Sequence, residues 1–308
     1  MTDAPRKDIA ASVRDRLQNH ARATGQDFQR VLVRYGIERL LYRLALSGIR
    51  DRFVLKGAML FATWADAPFR ATGDVDFLSF GDPGVETAKS AFIGLCELKI
   101  DVDDGLTFPS DTVVVERTRE EEDYQGLHVR FDARLKNIRI PILIDIGFGD
   151  VIHPAALDID YPRLLTDLPQ AHIRAYPPAT VIAEKFDAMV KFGDQATRLK
   201  DHYDVWAISR TFSFDAKTLI ESAGQTLARR ERAIPADWPA CLTADFAANE
   251  TTLKQWNAFL KRTAPTLAPP PFNDLLVELR VFLDPVLKGL QADAASSNQT
   301  WGPATGWS

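Results

Sequence analysis

Apolar and polar positions follow two different periods along the chain, and each period predicts one kind of element. Behind Thr24–Asp27, which has the spacing of a helix capping box, apolar side chains recur every three or four residues from Val33 to Leu44. From Leu127 to Leu135 apolar and polar residues alternate, and from Ile138 to Ile146 isoleucine stands at every second position. The first pattern predicts an amphipathic helix, and the second predicts two half-buried strands.

A strand, a glycine turn and a helix are predicted between these segments. Phe53–Leu55 is a short apolar run, Lys56 and Gly57 interrupt it, and Ala58–Trp64 has a helical pattern. A turn of this kind can present backbone N–H groups to a phosphate.

The pattern divides the chain into five segments. Prolines recur between His153 and Pro178, which favours an extended connection over regular elements. Helical spacing continues to about Leu290, and the residues after it are small and polar, with Trp301 and Trp307 as the residues that could dock. We therefore predict N-terminal helices packing on the core at 1–50, the core at 51–152, a Pro-rich connection at 153–178, a helical domain at 179–291 and a flexible tail at 292–308.

Composition and charge exclude several classes of protein. The 46% hydrophobic content is that of a globular chain, and the net charge of −5 argues against a protein that coats nucleic acid. Contact with nucleic acid would need local patches such as Arg229, Arg230 and Arg232, a run that we interpret as a solvated helix face. Cys96 and Cys241 lie far apart and predict no disulfide.

The chain shows no targeting or membrane segment. Its N-terminus lacks the apolar core of a signal peptide, and no run of ~18 apolar residues is present. The five histidines form no pair at metal-ligand spacing, which argues against a zinc site. We expect a cytoplasmic protein with no membrane association.

Three carboxylates are the main candidates for chemistry. Strand alternation places Asp74 and Asp76 on one face, where they repel each other unless a cation lies between them. Such oxygen ligands suit Mg²⁺, with Mn²⁺ as the alternative. Asp145 is the only charge in the apolar stretch from Ile140 to Phe148, where an unpaired carboxylate is costly. The ordinary interpretations are a solvated strand end for the pair and a turn cap near Gly147 for Asp145.

A second group of charged residues falls in the helical region. Lys185 stands on or beside an apolar helical stripe, where it either extends to solvent or provides a fixed cation for a triphosphate. Asp201 and Asp204 share a helical face, and Lys200 lies one turn before Asp204. Taken alone, these are ordinary helix salt bridges.

Taken together, these residues resemble the four-motif pattern of the AbiEii/AbiGii (MenT-like) toxins, which belong to the DNA polymerase β-like nucleotidyltransferase superfamily. The motifs occur in the family's order and are Lys56-Gly57-Ala58, Arg70-x-Thr72-x-Asp74-Val-Asp76-Phe77, Glu184-Lys185 and Arg198-x-Lys200-Asp201-x-Tyr203-Asp204. The likeness extends to the segment around Phe259 and covers most of the chain. One departure is Ala58, where the family has Gly or Ser.

The resemblance implies a fold and a set of roles. The fold is α/β (α+β), a nucleotidyltransferase domain with a mixed β-sheet followed by a mostly helical C-terminal domain. Asp74, Asp76 and Asp145 would hold Mg²⁺, Asp145 would also accept a proton or place a second ion, and Lys185 and Asp204 would complete the catalytic set. The residues implied to bind the nucleotide are Lys56, Gly57, Ala58, Arg70, Lys185, Arg198, Lys200 and Asp201.

The resemblance also implies partners. The enzyme would move a nucleotide from an NTP to the 3′ end of tRNA and so block translation, as the toxin of a type IV toxin–antitoxin or abortive-infection system. Its antitoxin would be a winged-helix protein encoded nearby. Two alternatives stay open: a nucleotidyltransferase acting on a protein or on a small molecule such as an aminoglycoside, and a non-catalytic GTP- or ATP-binding regulator, which Ala58 favours.

Overall fold

The structure, a computed structural model, describes residues 8–64, 73–118, 126–194, 198–292 and 298–308. The predicted nucleotide-binding residue Arg70 lies outside these residues. The described chain divides into two compact units. The first comprises Met1–Thr63, Thr72–Gly149 and Asp158–Ala175, and the second comprises Trp64–Ala71, Asp150–Leu157 and Tyr176–Ser308.

A mixed β-sheet forms the centre of the first unit. Its strands are β1 (Phe53–Lys56), β2 (Asp74–Ser79), β3 (Leu106–Thr107), β4 (Val114–Arg117), β5 (Gly126–Leu135), β6 (Ile138–Phe148), β7 (Leu157–Tyr161) and β8 (Ala171–Ala175). The order is β3-β5-β6-β2-β1-β8-β7, with β4 also paired to β5. Pairs β2–β6 and β1–β8 are parallel, whereas β1–β2 and β5–β6 are antiparallel. This confirms the predicted mixed sheet.

The alternating stretches form the two predicted strands, β5 and β6, and the structure pairs them as an antiparallel hairpin. The isoleucines of β6 that face the protein, such as Ile142 and Ile144, are fully buried, as is Val129 on β5. The glycine turn also forms where predicted: a 3-10 turn at Gly57–Leu60 follows β1 and leads into the one-turn helix α3 (Phe61–Trp64). The period of two therefore predicted both the strands and their buried faces.

Three helices accompany this sheet: α1 (Ile9–Thr24), α2 (Phe28–Leu46) and α4 (Val85–Glu97). Gly36 of α2 lies against β6, since a Cβ there would stand 3.0 Å from Ile142 Cδ1. The prediction of a capping box at Thr24–Asp27 is wrong. Asp27 itself caps α2 by accepting from the Arg30 N–H, whereas Thr24 is the last residue of α1.

Charged residues of α2 are buried and bonded to distant backbone and side chains. Arg43 Nη1 lies 2.7 Å from Asp104 Oδ2, and the Leu164 N–H donates to Glu38 Oε2 at 2.7 Å. Arg39 donates to the Pro169 carbonyl oxygen. Because α2 is surrounded by protein, these partners replace the water that the charged groups would otherwise bind.

The Pro-rich segment does not lack regular structure, and that prediction is wrong. It contributes β7 and β8, with Leu55 of β1 paired to Ala175 of β8. The prolines fall outside both strands, so they leave the hydrogen bonds between the strands intact.

The second unit is mostly helical, as predicted for this part of the chain. Its helices are α5 (Pro178–Phe192), α6 (Leu199–Ser209), α7 (Ala216–Arg229), α8 (Ala244–Ala248), α9 (Glu250–Thr263) and α10 (Phe272–Gln291). Aromatic contacts fill the space between them, as where the rings of Trp256 and Phe272 lie 4.8 Å apart. None of the described helices combines the length and the apolarity needed to cross a membrane.

The predicted flexible tail is also wrong for residues 298–308. Strands β10 (Thr300–Gly302) and β11 (Gly306–Trp307) form a hairpin that pairs with β9 (Phe214–Asp215). Trp301 is buried, and its Nε1 donates to the Ser209 carbonyl oxygen at 2.7 Å. Docking of this one large ring outweighs the polar composition of the neighbouring residues.

Candidate active site

A row of polar side chains crosses five strands of the sheet in the first unit. Lys56 of β1 is the register partner of Asp76 on β2, and Asp76 is the partner of Asp145 on β6. Asp145 is in turn paired with His128 on β5, and His128 with Glu116 on β4. Register partners on neighbouring strands project to the same face of a sheet. The fold therefore gathers these residues on one face, although Lys56 and Asp145 are 89 positions apart in the sequence.

Asp74 extends this row along β2. It lies two residues before Asp76 and on the same face, whereas Val75 and Phe77 between and after them are buried. Asp74 is exposed and Asp76 is partly exposed. The structure thus brings Asp74, Asp76 and Asp145 to one solvent-facing surface of the sheet, as the three-carboxylate hypothesis requires.

Gly57 makes close approach to Asp76 possible. Its φ is +70°, a conformation that residues with a Cβ rarely adopt, and a Cβ at this position would lie 2.6 Å from Asp76 Cγ. The neighbouring Ala58 is buried at 6% exposure, so its methyl group faces protein. The turn therefore packs its backbone directly against the carboxylate-bearing strand.

His128 belongs to the candidate site, and sequence reasoning did not select it. Its Nδ1 lies 2.7 Å from Asp145 Oδ1, and the two side chains are 36% and 50% exposed. Alternation alone shows that His128 is on the polar face of β5. Its position opposite Asp145 depends on the β5–β6 register, which was not predicted.

The carboxylates suit a magnesium ion in their chemistry. Mg²⁺ binds oxygen ligands and is usually held by one or two carboxylates together with water and substrate phosphates. Asp74, Asp76 and Asp145 supply carboxylate oxygens from adjacent strands. Among the described residues no three His, Cys, Asp or Glu side chains already converge on one metal position. The chemistry of the donor set, three carboxylates on neighbouring positions of one face, therefore fits a cation that prefers oxygen ligands.

Lys185 lies between two aspartates in the second unit. Its Nζ donates to Asp204 Oδ2 at 2.7 Å and to Asp201 Oδ1 at 2.9 Å. Both carboxylates are almost fully buried, and 13% of the lysine side chain is exposed. The two acids on α6 therefore fix the ammonium group of α5, as the predicted sharing of a helical face by Asp201 and Asp204 allows.

Arg198 contributes a second cation to this cluster. Its Nε donates to Asp201 Oδ2 at 2.7 Å, and its guanidinium lies 5.0 Å from the centre of the Phe192 ring. Burial alone would raise the pKa of Asp201, but Lys185 and Arg198 outweigh that effect and hold the pKa well below its usual value. Lys200 is exposed on α6.

The Arg-rich run near residue 230 is not a solvated helix face, and that interpretation is wrong for two of its three residues. Arg230 bonds Asp187 at 2.8 Å, Asp150 at 2.9 Å and Glu184 at 3.2 Å. Arg232 also pairs with Asp187. Burial would lower the pKa of Arg230, but the surrounding carboxylates raise it above its ordinary value. The network holds the part of α5 that carries Lys185.

The sequence of this chain matches a known protein family over most of its length. The family model described as "Nucleotidyl transferase AbiEii toxin, Type IV TA system" matches residues 39–278, more than half of the chain. A search of curated proteins finds no match. JHP933 from Helicobacter pylori matches with a TM-score of 0.43 and 14% identity, covering 84% of this chain and 94% of that one. A proposed nucleotidyltransferase from H. pylori also gives 0.43 and 14%, covering 84% and 97%.

Proposed function

Because this chain belongs to the family of AbiEii nucleotidyl transferase toxins of type IV toxin–antitoxin systems, we propose that its reaction is the Mg²⁺-dependent transfer of a nucleotide from an NTP to the 3′ end of tRNA. Membership makes the chain a nucleotidyltransferase and implies an antitoxin partner. The choice of ion and of acceptor is the proposal. The observation that carries the metal-dependent transfer is the row of polar side chains, in which Asp76 and Asp145 are register partners on adjacent strands.

The sheet row supplies the groups that meet the triphosphate. In this proposal Asp74, Asp76 and Asp145 hold the ion, and the backbone of the Gly57–Ala58 turn contacts the phosphates. When bound, Mg²⁺ neutralises charge on the phosphates and favours in-line attack. The acceptor's hydroxyl oxygen forms a bond to the α-phosphorus. The bond between the α-phosphorus and the oxygen that bridges it to the β-phosphate breaks, and pyrophosphate leaves. The hydroxyl proton passes to Asp145 or to water.

The Lys185 cluster supplies a fixed cation. Asp201 and Asp204 hold the ammonium group at 2.9 and 2.7 Å, so little rotational freedom is lost when it meets an anion. We assign Lys185 and Arg198 to charge neutralisation on the nucleotide's phosphates as pyrophosphate leaves. We assign Lys200, which is exposed, to the same anionic substrate. Arg70 has the same assignment from the family pattern.

The acceptor is proposed from the resemblance to the MenT-like toxins. Nucleotides added at the 3′ end of tRNA would prevent charging and block translation. A winged-helix antitoxin encoded nearby is the proposed form of the antitoxin partner. The net charge of −5 indicates that tRNA would meet a local cationic surface rather than a broadly basic one.

The test uses purified protein, Mg²⁺, total tRNA and each α-labelled NTP in turn. Asp76→Asn removes one proposed ligand with little change of shape, and Asp111→Asn is the matched control, since Asp111 is exposed in a 3-10 turn. We expect label on tRNA with the wild type and with Asp111→Asn, and its loss with Asp76→Asn. Pyrophosphate release without labelled tRNA would reject tRNA as the acceptor. Nucleotide binding without turnover would reject the proposed reaction.

A further inference from the structure

The contact between His128 and Asp145 is specific in its chemistry. His128 Nδ1 lies 2.7 Å from Asp145 Oδ1, a distance at which an imidazole N–H donates to a carboxylate oxygen. Among the described residues, Asp145 accepts a side-chain hydrogen bond from His128 and from no other residue. The bond therefore commits Oδ1 of Asp145 and leaves Oδ2 as its second oxygen.

We propose that His128 is a positioning residue that orients Asp145 as a ligand for the divalent cation. The inference rests on the proposed function, in which Asp145 binds that cation. Carboxylates that bind metals are commonly oriented by a hydrogen bond from a second protein group, and loss of that group weakens metal binding about 10-fold to 100-fold. His128 is the residue that the β5–β6 register places beside Asp145.

A purely structural role predicts a different result. The pair is about half exposed, and pairs of this kind contribute little to the stability of a fold. Asp145 also lies between Ile144 and Ile146, whose burial anchors β6 independently of His128. A positioning role therefore predicts an effect on cation affinity without unfolding, whereas a structural role predicts a change in thermal stability alone.

The experiment measures Mn²⁺ binding to the full chain by electron paramagnetic resonance, without nucleotide or tRNA. His128→Phe keeps a planar ring and removes the donor, and we expect it to weaken Mn²⁺ binding about 10-fold to 100-fold. His128→Asn places an amide N–H close to the position of Nδ1, and we expect it to bind within about threefold of the wild type. His172→Phe is the matched control, because His172 on β8 is exposed and bonds Asp160 instead.

The same substitution made in a protein that already carries Asp145→Asn separates a positioning role from a general effect of the substitution on Mn²⁺ affinity. In Asp145→Asn protein, His128→Phe should weaken Mn²⁺ binding by less than about twofold, because its target is already removed. An unchanged affinity for Mn²⁺ in His128→Phe would overturn the inference, as would an equal loss in both backgrounds. Should His128→Phe unfold at the assay temperature, His128→Val takes its place with the same expectation.

The failure of this inference can be told apart from failure of the proposed function. Mn²⁺ binding that is weakened by Asp76→Asn but unchanged by His128→Phe would overturn the positioning role and leave the proposed function standing. Protein that shows the His128 effect on Mn²⁺ but transfers no nucleotide would support the positioning role and reject the proposed reaction.

Discussion

Gly57 and Asp76 are packed so closely that no side chain fits between them. A Cβ on Gly57 would lie 2.6 Å from Asp76 Cγ and 2.9 Å from Asp76 Cβ, and the φ of Gly57 is +70°. Two requirements thus coincide at one residue: a left-handed backbone and open space beside a carboxylate. The close packing of Gly57 against Asp76 explains why the first motif has glycine at this position.

Substitution at Gly57 should damage the site more than the fold. Gly57→Ala adds a Cβ that must displace Asp76, and we expect nucleotidyl transfer to fall at least about 100-fold, on the scale of losing one stabilising group in a transition state. Gly25→Ala is the matched control, because Gly25 has a φ of +66° with no atom within 4 Å of a Cβ. It should lose about 1 kcal/mol of stability and keep its transfer rate. Equal activities of the two variants, measured with labelled NTP, would contradict this account.

Lys185 should be important for stability as well as for activity. Lys185→Met leaves the buried Asp201 and Asp204 without their shared cation, and we expect the free energy of unfolding to fall by about 3 to 5 kcal/mol. Lys200→Met removes an exposed lysine from α6 and should change stability by less than about 0.5 kcal/mol. Urea unfolding of both variants measures the difference. A loss below about 1 kcal/mol in Lys185→Met would show that the cluster is not the ion pair described.

Glu38 should make stability fall as pH rises. Burial raises the pKa of Glu38 to about 7, although Arg39 beside it acts in the opposite direction. The folded state therefore holds a proton that the unfolded chain releases at the ordinary glutamate pKa of 4.5, so the contribution is complete below about pH 4.5 and is lost as pH rises through 7. The loss amounts to at most roughly 3 kcal/mol. Urea unfolding between pH 5 and 8 should show this slope in the wild type and a flatter one in Glu38→Gln.

The exposed Glu86 on α4 provides the control for that measurement. Glu86→Gln should keep the pH slope of the wild type, because it leaves the buried Glu38 in place. A slope that is the same in Glu38→Gln and Glu86→Gln would assign the pH dependence to other groups.

The C-terminal hairpin should contribute to the stability of the second unit. Trp301 is 6% exposed and bonds the Ser209 carbonyl, so Trp301→Ala should lower the free energy of unfolding by about 3 to 5 kcal/mol. Trp307→Ala, at a partly exposed position, should cost clearly less. Thermal unfolding of the two variants tests this order. Equal melting temperatures for Trp301→Ala and the wild type would mean that residues 298–308 are dispensable.

Local patterns in the sequence were sufficient to predict which residues share a face of a strand or a helix. Alternation placed Asp74 and Asp76 on one side of β2, and three-residue spacing placed Asp201 and Asp204 on one side of α6. These relationships depend on backbone periods of 2 and 3.6 residues, which hold wherever the element lies. The strand–turn–helix around Gly57 was predictable for the same reason, since glycine marks the turn by its own conformational freedom.

Only the tertiary structure decided which faces meet. The register that places Asp76 beside Asp145, and Asp145 beside His128, joins strands that are far apart in the chain, and a shift of one residue would turn each side chain to the other face. The ion pairs of Arg230 and the docking of Trp301 likewise depend on partners that are distant in sequence. Local periodicity fixes the direction of a side chain within its own element, whereas its neighbour is set by the packing of the whole unit.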